Sequence, residues 1–206
     1  MTKPADHPLF REGAALLDRY EAILEEDQAL RHAEYDRPDP RRRRLKVACN
    51  DCPQPWCCNQ RVTIDDAEAA VIYRWAERHA PRALAAALRR ADELRRADEL
   101  RRPPEPLGDS AFFRRRIPCP FLVNGSCAIF TVRPYRCRSH YMAGNPMKCR
   151  DSLKPTETYE MSPDRALLAE LDELAEELRF RGLLDAGDGE GELAAALRRL
   201  DERVRR

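Results

Sequence analysis

The apolar positions Phe10, Leu16, Leu17, Tyr20, Ile23, Leu24 and Leu30 recur at helical spacing between charged residues. They predict one amphipathic helix from Pro8 to about Arg31. Pro38 and Pro40 follow, and proline ends a helix because its ring removes the amide donor and clashes with the preceding turn. A second helix is predicted with Thr63 as N-cap and Asp65, Asp66 and Glu68 suited to the positive end of the helix dipole. It carries Ile72, Tyr73 and Trp75 and is broken or restarted at Pro81. A highly charged continuation runs from about Arg82 to Arg101 and stops at Pro103 and Pro104. Within it RRADEL occurs twice, at 89–94 and 95–100. That six-residue step does not match the 3.6-residue helical turn, so the repeat makes no continuous apolar seam. It reads as a solvated helix supported by pairs such as Asp92 with Arg96 and Asp98 with Arg102.

Residues 105 to about 160 change character, with several prolines, aromatics and cysteines. Asn124-Gly125 lies between Phe121-Leu122-Val123 and Ala128-Ile129-Phe130 and predicts a short β-hairpin. Two carboxy-terminal helices follow. The first opens at Ser162 with Pro163 in the first helical position and closes near Gly182. The second starts at about Glu192, after the glycine-rich bend from Gly187 to Gly191. The expected fold is mainly α, a small cysteine-rich metal-binding domain with a short β-hairpin and flanking amphipathic helices. Its expected divisions are an N-terminal helix and basic linker over 1–44, the cysteine-cluster domain over 45–160, and C-terminal helices over 161–206 packed on it.

Composition sharpens this picture in two places. Charged residues make up 35% of the 206-residue chain, against about a quarter in ordinary domains, which implies long solvent-facing helices. The 37 basic and 36 acidic residues almost cancel, so no overall field draws the molecule onto nucleic acid or an anionic membrane. The positive charge is nearly all arginine, lysine occurring only at 3, 46, 148 and 154, which reads as compositional bias. The amino terminus has no apolar signal core, and no segment approaches the roughly 20 apolar residues of a membrane span. A cytoplasmic location is expected, where thiols stay reduced and clustered cysteines are metal ligands more often than disulfides.

The eight cysteines, Cys49, Cys52, Cys57, Cys58, Cys119, Cys127, Cys137 and Cys149, form two groups about sixty residues apart. Cys49 and Cys52 have the CxxC spacing that lets two thiolates converge on one cation. Cys57 and Cys58 are adjacent, which asks for a folded turn, two neighbouring sites, or one cysteine that is not a ligand. Eight thiols equal two four-thiolate sites, and one site with spare structural cysteines fits the count as well. A set of sulfurs suits zinc and iron-sulfur chemistry, including a [4Fe-4S] cluster. Buried apolar filler and a redox dithiol at Cys49 and Cys52 are the competing readings.

The second group reads Cys119-Pro-Phe-Leu122, Gly125-Ser-Cys127-Ala-Ile129-Phe130 and Arg133-Pro-Tyr-Arg-Cys137-Arg138. With the earlier cysteines it resembles the YkgJ-type cysteine cluster family, whose members carry a CxxCxxCC signature and are described as zinc- or iron-chelating. The resemblance covers about residues 45 to 150. It departs from the signature in placing four residues between Cys52 and Cys57. It implies metal binding without a defined reaction, with all eight cysteines as candidate ligands. One branch is similar to flagellin lysine N-methylases, which use S-adenosylmethionine and an iron-sulfur centre, but no glycine-rich nucleotide loop accompanies the cysteines here.

Arg133, Arg136 and Arg138 surround Cys137, and Arg133 and Arg138 are assigned to the bound centre, countering the charge of a four-thiolate site, with binding of an anionic substrate as the alternative. His140 is a spare ligand or, more simply, a hydrogen-bonding residue, while His7, His32 and His79 look incidental. Trp56 is expected to cover the metal. A basic patch from Arg41–Arg44, Lys46 and Arg114–Arg116 is the one feature that favours a zinc-dependent nucleic-acid module. The neutral total charge argues against it, and no protein partner is identifiable.

Overall fold

The computed structural model describes residues 4–36, 56–99, 113, 114, 116, 118–142, 149, 150, 158–160, 165–185 and 191–206. These form a mainly α-helical protein. Helices α1 (Pro8–Arg11) and α2 (Ala14–Asp36) precede α3 (Asp66–His79) and α4 (Pro81–Glu99). The short α5 (Tyr135–Ser139), then α6 (Arg165–Phe180) and α7 (Leu193–Val204), complete the helices labelled here. Among the described residues the strands form three two-stranded antiparallel pairs. They are β1 (Thr63–Ile64) with β6 (Gly191–Glu192), β2 (Leu122–Val123) with β3 (Ser126–Cys127), and β4 (His140–Met142) with β5 (Thr158–Glu160).

The first predicted helix is two. Arg11 ends α1 and the chain turns at Gly13 before α2, which runs on to Asp36 rather than stopping near Arg31. Glycine is required there because a Cβ would stand 2.4 Å from the Leu9 carbonyl oxygen and 3.1 Å from Leu178 Cδ2. His7, expected to be incidental, caps α1: its Nδ1 accepts the Leu9 amide at 3.2 Å.

Helix α3 is the centre of the core. Ala67, Ala69, Ala70, Val71, Ile72, Tyr73 and Ala76 are buried, because α2, α4 and α7 pack around it. Its N-cap is Asp65 and not Thr63: the Asp65 carboxylate accepts the Glu68 amide at 2.7 Å, while Thr63 is taken into β1 opposite Glu192. Arg78 and His79 stand in its last turn, where a cation complements the dipole. Pro81 starts α4, as expected.

Helix α4 is less solvated than its charge suggests. Ala83, Leu84, Ala87 and Ala91 form a buried small-residue face against α7, and Asp92 reaches Arg198 of that helix at 3.1 Å rather than serving only its own helix. Arginine ties other helices too. Arg74 of α3 meets Asp18 at 2.7 Å and Glu21 at 3.1 Å on α2, and Arg19 of α2 meets Glu170 of α6 at 2.6 Å. The excess of arginine over lysine therefore has a structural use, a planar fork spanning neighbouring helices.

Helix α6 closes at Gly182, as expected, in a left-handed conformation at φ 67°. The Gly182 amide bonds the Arg179 carbonyl at 2.8 Å and the Leu183 amide bonds Leu178 at 2.9 Å, a pairing that satisfies the last helical carbonyls. The expected start at Ser162 and Pro163 lies outside the described residues. Helix α7 is capped by the Glu192 side chain, which accepts the Ala194 and Ala195 amides at 3.0 and 3.2 Å. Among the described residues, no helix is long and apolar enough to cross a membrane.

Candidate metal centre

The hairpin forms at Asn124-Gly125, with positive φ at both residues (51° and 78°), the backbone that a two-residue turn of this hand demands. Its strands are shorter than expected: Leu122 pairs with Cys127 and Val123 with Ser126, leaving Ile129 and Phe130 beyond the ladder. The turn therefore sets Cys127 at the hairpin base, and the Leu122 amide bonds the Cys119 carbonyl at 3.0 Å. Upstream, a 3₁₀ turn over Trp56–Asn59 holds the vicinal pair Cys57-Cys58, closed by Asn59 Nδ2 donating to the Trp56 carbonyl at 3.1 Å. The two segments are stitched directly, the Cys119 amide donating to the Cys58 carbonyl at 2.6 Å.

Cys137 sits in α5, whose start is fixed by Glu68. The Glu68 carboxylate accepts the Tyr135 amide at 2.8 Å, so the N-terminus of α3 is joined to the helix that carries the cysteine. The cost falls on Glu68, whose pKa rises to about 7 through burial and the neighbouring Asp65 charge.

Cys57, Cys58, Cys119, Cys127 and Cys137 are free thiols close enough that the charge of one is felt by the others. The hydrogen bond from the Cys58 thiol lowers Cys57 to about 7, with the Arg133 cation assisting. The same bond, with burial, pushes Cys58 far up. Burial raises Cys119 to about 12, and it raises Cys127 and Cys137 as well. Apart from Cys57, these thiols keep their protons until a cation takes over the charge, the ordinary condition for thiolate ligation of a metal. The donor chemistry fits zinc or an iron-sulfur centre, being all sulfur with cations near by. Among the described residues no group of three or more His, Cys, Asp or Glu side chains is already arranged to hold a metal ion. Cys49 and Cys52 lie outside the described residues. Cys149 is half-buried, one residue before the Arg150 carbonyl to which Arg116 donates.

The two arginines assigned to the centre differ. Arg133 lies over the Phe130 ring, 4.5 Å from its centroid, and its charge favours the thiolates of Cys57, Cys127 and Cys137. Arg138 is 0% exposed and spends its donors on backbone: Nε to the Arg133 carbonyl at 2.8 Å, with Nη1 and Nη2 bonding the carbonyls of Leu24 and Thr131. Nη1 also lies 3.6 Å from the Asp27 carboxylate. Arg138 is thus a clasp between α2 and the cysteine loop, and its charge favours the Cys127 thiolate. Arg136 is exposed. His140 is in β4 opposite Glu160.

Three contributors were not anticipated from sequence. Glu68 positions Cys137 through α5, Glu192 places a carboxylate whose charge raises Cys119, and Arg116 stacks on Trp56 and Phe113 at 4.9 and 4.7 Å. Glu68 and Glu192 both look like ordinary helix-start acids in the sequence. In the sequence Arg116 belongs to the basic patch, whose 41–44 stretch lies outside the described residues. No family model, curated protein or solved structure matches the chain.

Proposed function

We propose that this is a metal-binding protein in which cysteine thiolates from residues 45–160 take zinc or an iron-sulfur cluster, working in the reducing environment of the cytoplasm. The observation that carries the reading is the gathering of Cys57, Cys58, Cys119, Cys127 and Cys137, from two distant segments, into one electrostatic neighbourhood beside Arg133. Against core filler stand the backbone bond that joins Cys119 to Cys58 and the Arg133 charge that favours the thiolates of Cys57, Cys127 and Cys137, a setting suited to ligation. The motif resemblance in the second cysteine group points the same way.

The test is elemental analysis with an absorption spectrum on the full chain, purified without oxygen and without a metal-binding tag. About four iron and four sulfide per chain with a band near roughly 400 nm identifies a [4Fe-4S] cluster. One or two zinc per chain with no colour identifies closed thiolate sites. A folded protein with neither metal and all eight thiols titrating overturns the proposal.

A further inference from the structure

Two hydrogen-bond donors beside the Cys57-Cys58 turn are buried and make no hydrogen bond: the indole Nε1 of Trp56 and Nη1 of Arg116. They belong to one assembly. Trp56 immediately precedes Cys57 in the 3₁₀ turn, and the Arg116 guanidinium lies over its ring, 4.9 Å from the centroid, with Phe113 at 4.7 Å. Nη2 of the same guanidinium is occupied by the Arg150 carbonyl, next to Cys149. Arg116 also adopts φ 52°, a left-handed backbone unfavourable for a residue with a Cβ. A strained backbone therefore sets a cation between the Trp56-Cys57 turn and the Cys149-Arg150 segment. Buried donors without acceptors are rare because the lost hydration is not recovered, and two on adjacent stacked groups call for a shared explanation.

We propose that Trp56 Nε1–H and Arg116 Nη1–H donate to sulfur of the thiolate centre, either a ligating cysteine or the sulfide of a cluster, and so act as positioning residues for the metal. This rests on the metal-binding reading above. The chemistry is consistent on both sides. Ligation replaces the thiol proton by a metal and leaves each sulfur negative and needing donors. The donors available include one cation, which offsets thiolate charge, and one neutral N–H on the residue directly before a candidate ligand. Outer hydrogen bonds of this kind orient metal ligands and hold much of a site's affinity.

The test uses the full chain and the variants Trp56→Phe, which keeps a ring beneath the guanidinium, and Arg116→Lys, which keeps a cation without the fork. Zinc affinity is measured by competition with a chelator, and the sulfur-to-cobalt charge-transfer band is recorded on the cobalt-loaded protein. Each variant should bind zinc roughly tenfold or more weakly and shift the band to lower energy. The metal-free thermal midpoint of Trp56→Phe should stay close to that of the unaltered chain, since Nε1 bonds no protein atom there, while Arg116→Lys also gives up the Nη2 bond to the Arg150 carbonyl and should fall by no more than about 8 °C. Unchanged affinity and band in both variants overturn the proposal while leaving metal binding intact. Loss of the metal-free fold in both variants assigns the residues to packing and also overturns it. So does stabilisation of the metal-free chain by inorganic phosphate or acetate that both variants abolish, because the donors then serve a free oxyanion. Failure of the unaltered chain to bind zinc or cobalt removes the metal reading itself, and this inference with it.

Discussion

The amide of Cys119 donates to the carbonyl of Cys58 at 2.6 Å, so the second cysteine group is attached by its backbone to the turn that carries the first. A backbone bond between the two groups limits how far apart the thiols beside it can lie, and a cation bound there would meet donors already tied together. Less ordering is left for the binding step, and pre-organisation of this kind raises affinity.

Cys137→Ser should separate ligation from packing. Serine keeps the size and α5 but removes the sulfur, so zinc or iron content should fall well below the unaltered chain while the metal-free midpoint moves little. Metal analysis beside a melting curve checks this. Undiminished metal content would remove Cys137 from the ligand set.

Glu68 should make stability depend on pH. Its folded pKa of about 7 is raised above the ordinary 4.5 by burial and by Asp65, against the Tyr135 amide and the Arg138 charge, which favour the carboxylate. The stabilisation associated with the raised value is complete below pH 4.5 and is lost as pH rises through about 7. Glu68→Gln keeps an acceptor for Tyr135 and should exceed the unaltered chain by about 1–3 kcal/mol at pH 8, with little difference at pH 4. Urea unfolding of the metal-free protein at the two pH values measures it, and a difference that does not grow with pH contradicts the assignment.

Arg138→Met should be among the most destabilising single changes. It leaves the Leu24, Thr131 and Arg133 carbonyls without this donor and the buried Asp27 without this cation. Breaking such a pair costs about 3–5 kcal/mol, readable as a lowered urea midpoint. Asp27→Asn should cost less, because the three carbonyl bonds survive.

Gly13→Ala tests the break between α1 and α2. The new Cβ meets the Leu9 carbonyl, a backbone atom that cannot swing aside, and a loss of about 1–3 kcal/mol is expected in chemical denaturation. A neutral result would mean that the two helices can move apart without penalty.

The helices, the Asn124-Gly125 turn and the Gly182 stop were legible because each rests on local chemistry: apolar spacing, or a backbone conformation glycine favours. What escaped reading is non-local. Thr63 has the composition of an N-cap, but its pairing with Glu192 moves the cap to Asp65, and no local rule reveals a partner from the far end of the chain. The buried face of α4 is made mostly of alanines that a charge-rich pattern hides, and Arg138 looks like a counter-ion until α2 is seen to supply Leu24 and Asp27 beside it. For the candidate site, spacing marks the cysteines as candidates, but the bond from Cys119 to Cys58 joins segments about sixty residues apart and leaves no mark in either. The roles of Glu68, Glu192 and Arg116 depend on which elements meet.

Tyr73 in α3 donates to Asp201 in α7 at 2.6 Å across 128 residues of chain. Ribosomes add about 5–20 residues per second, so the inner face of α3 waits about 6–25 s after Tyr73 is made before its partner exists. During that interval the Cys57-Cys58 turn, just ahead of α3, is already synthesised while the side of that helix that α7 covers in the finished fold is still open. The nascent chain thus passes through a stage in which reactive sulfur and bare apolar surface are adjacent, and its yield should depend on what shields that stage, whether a chaperone or an early-bound metal.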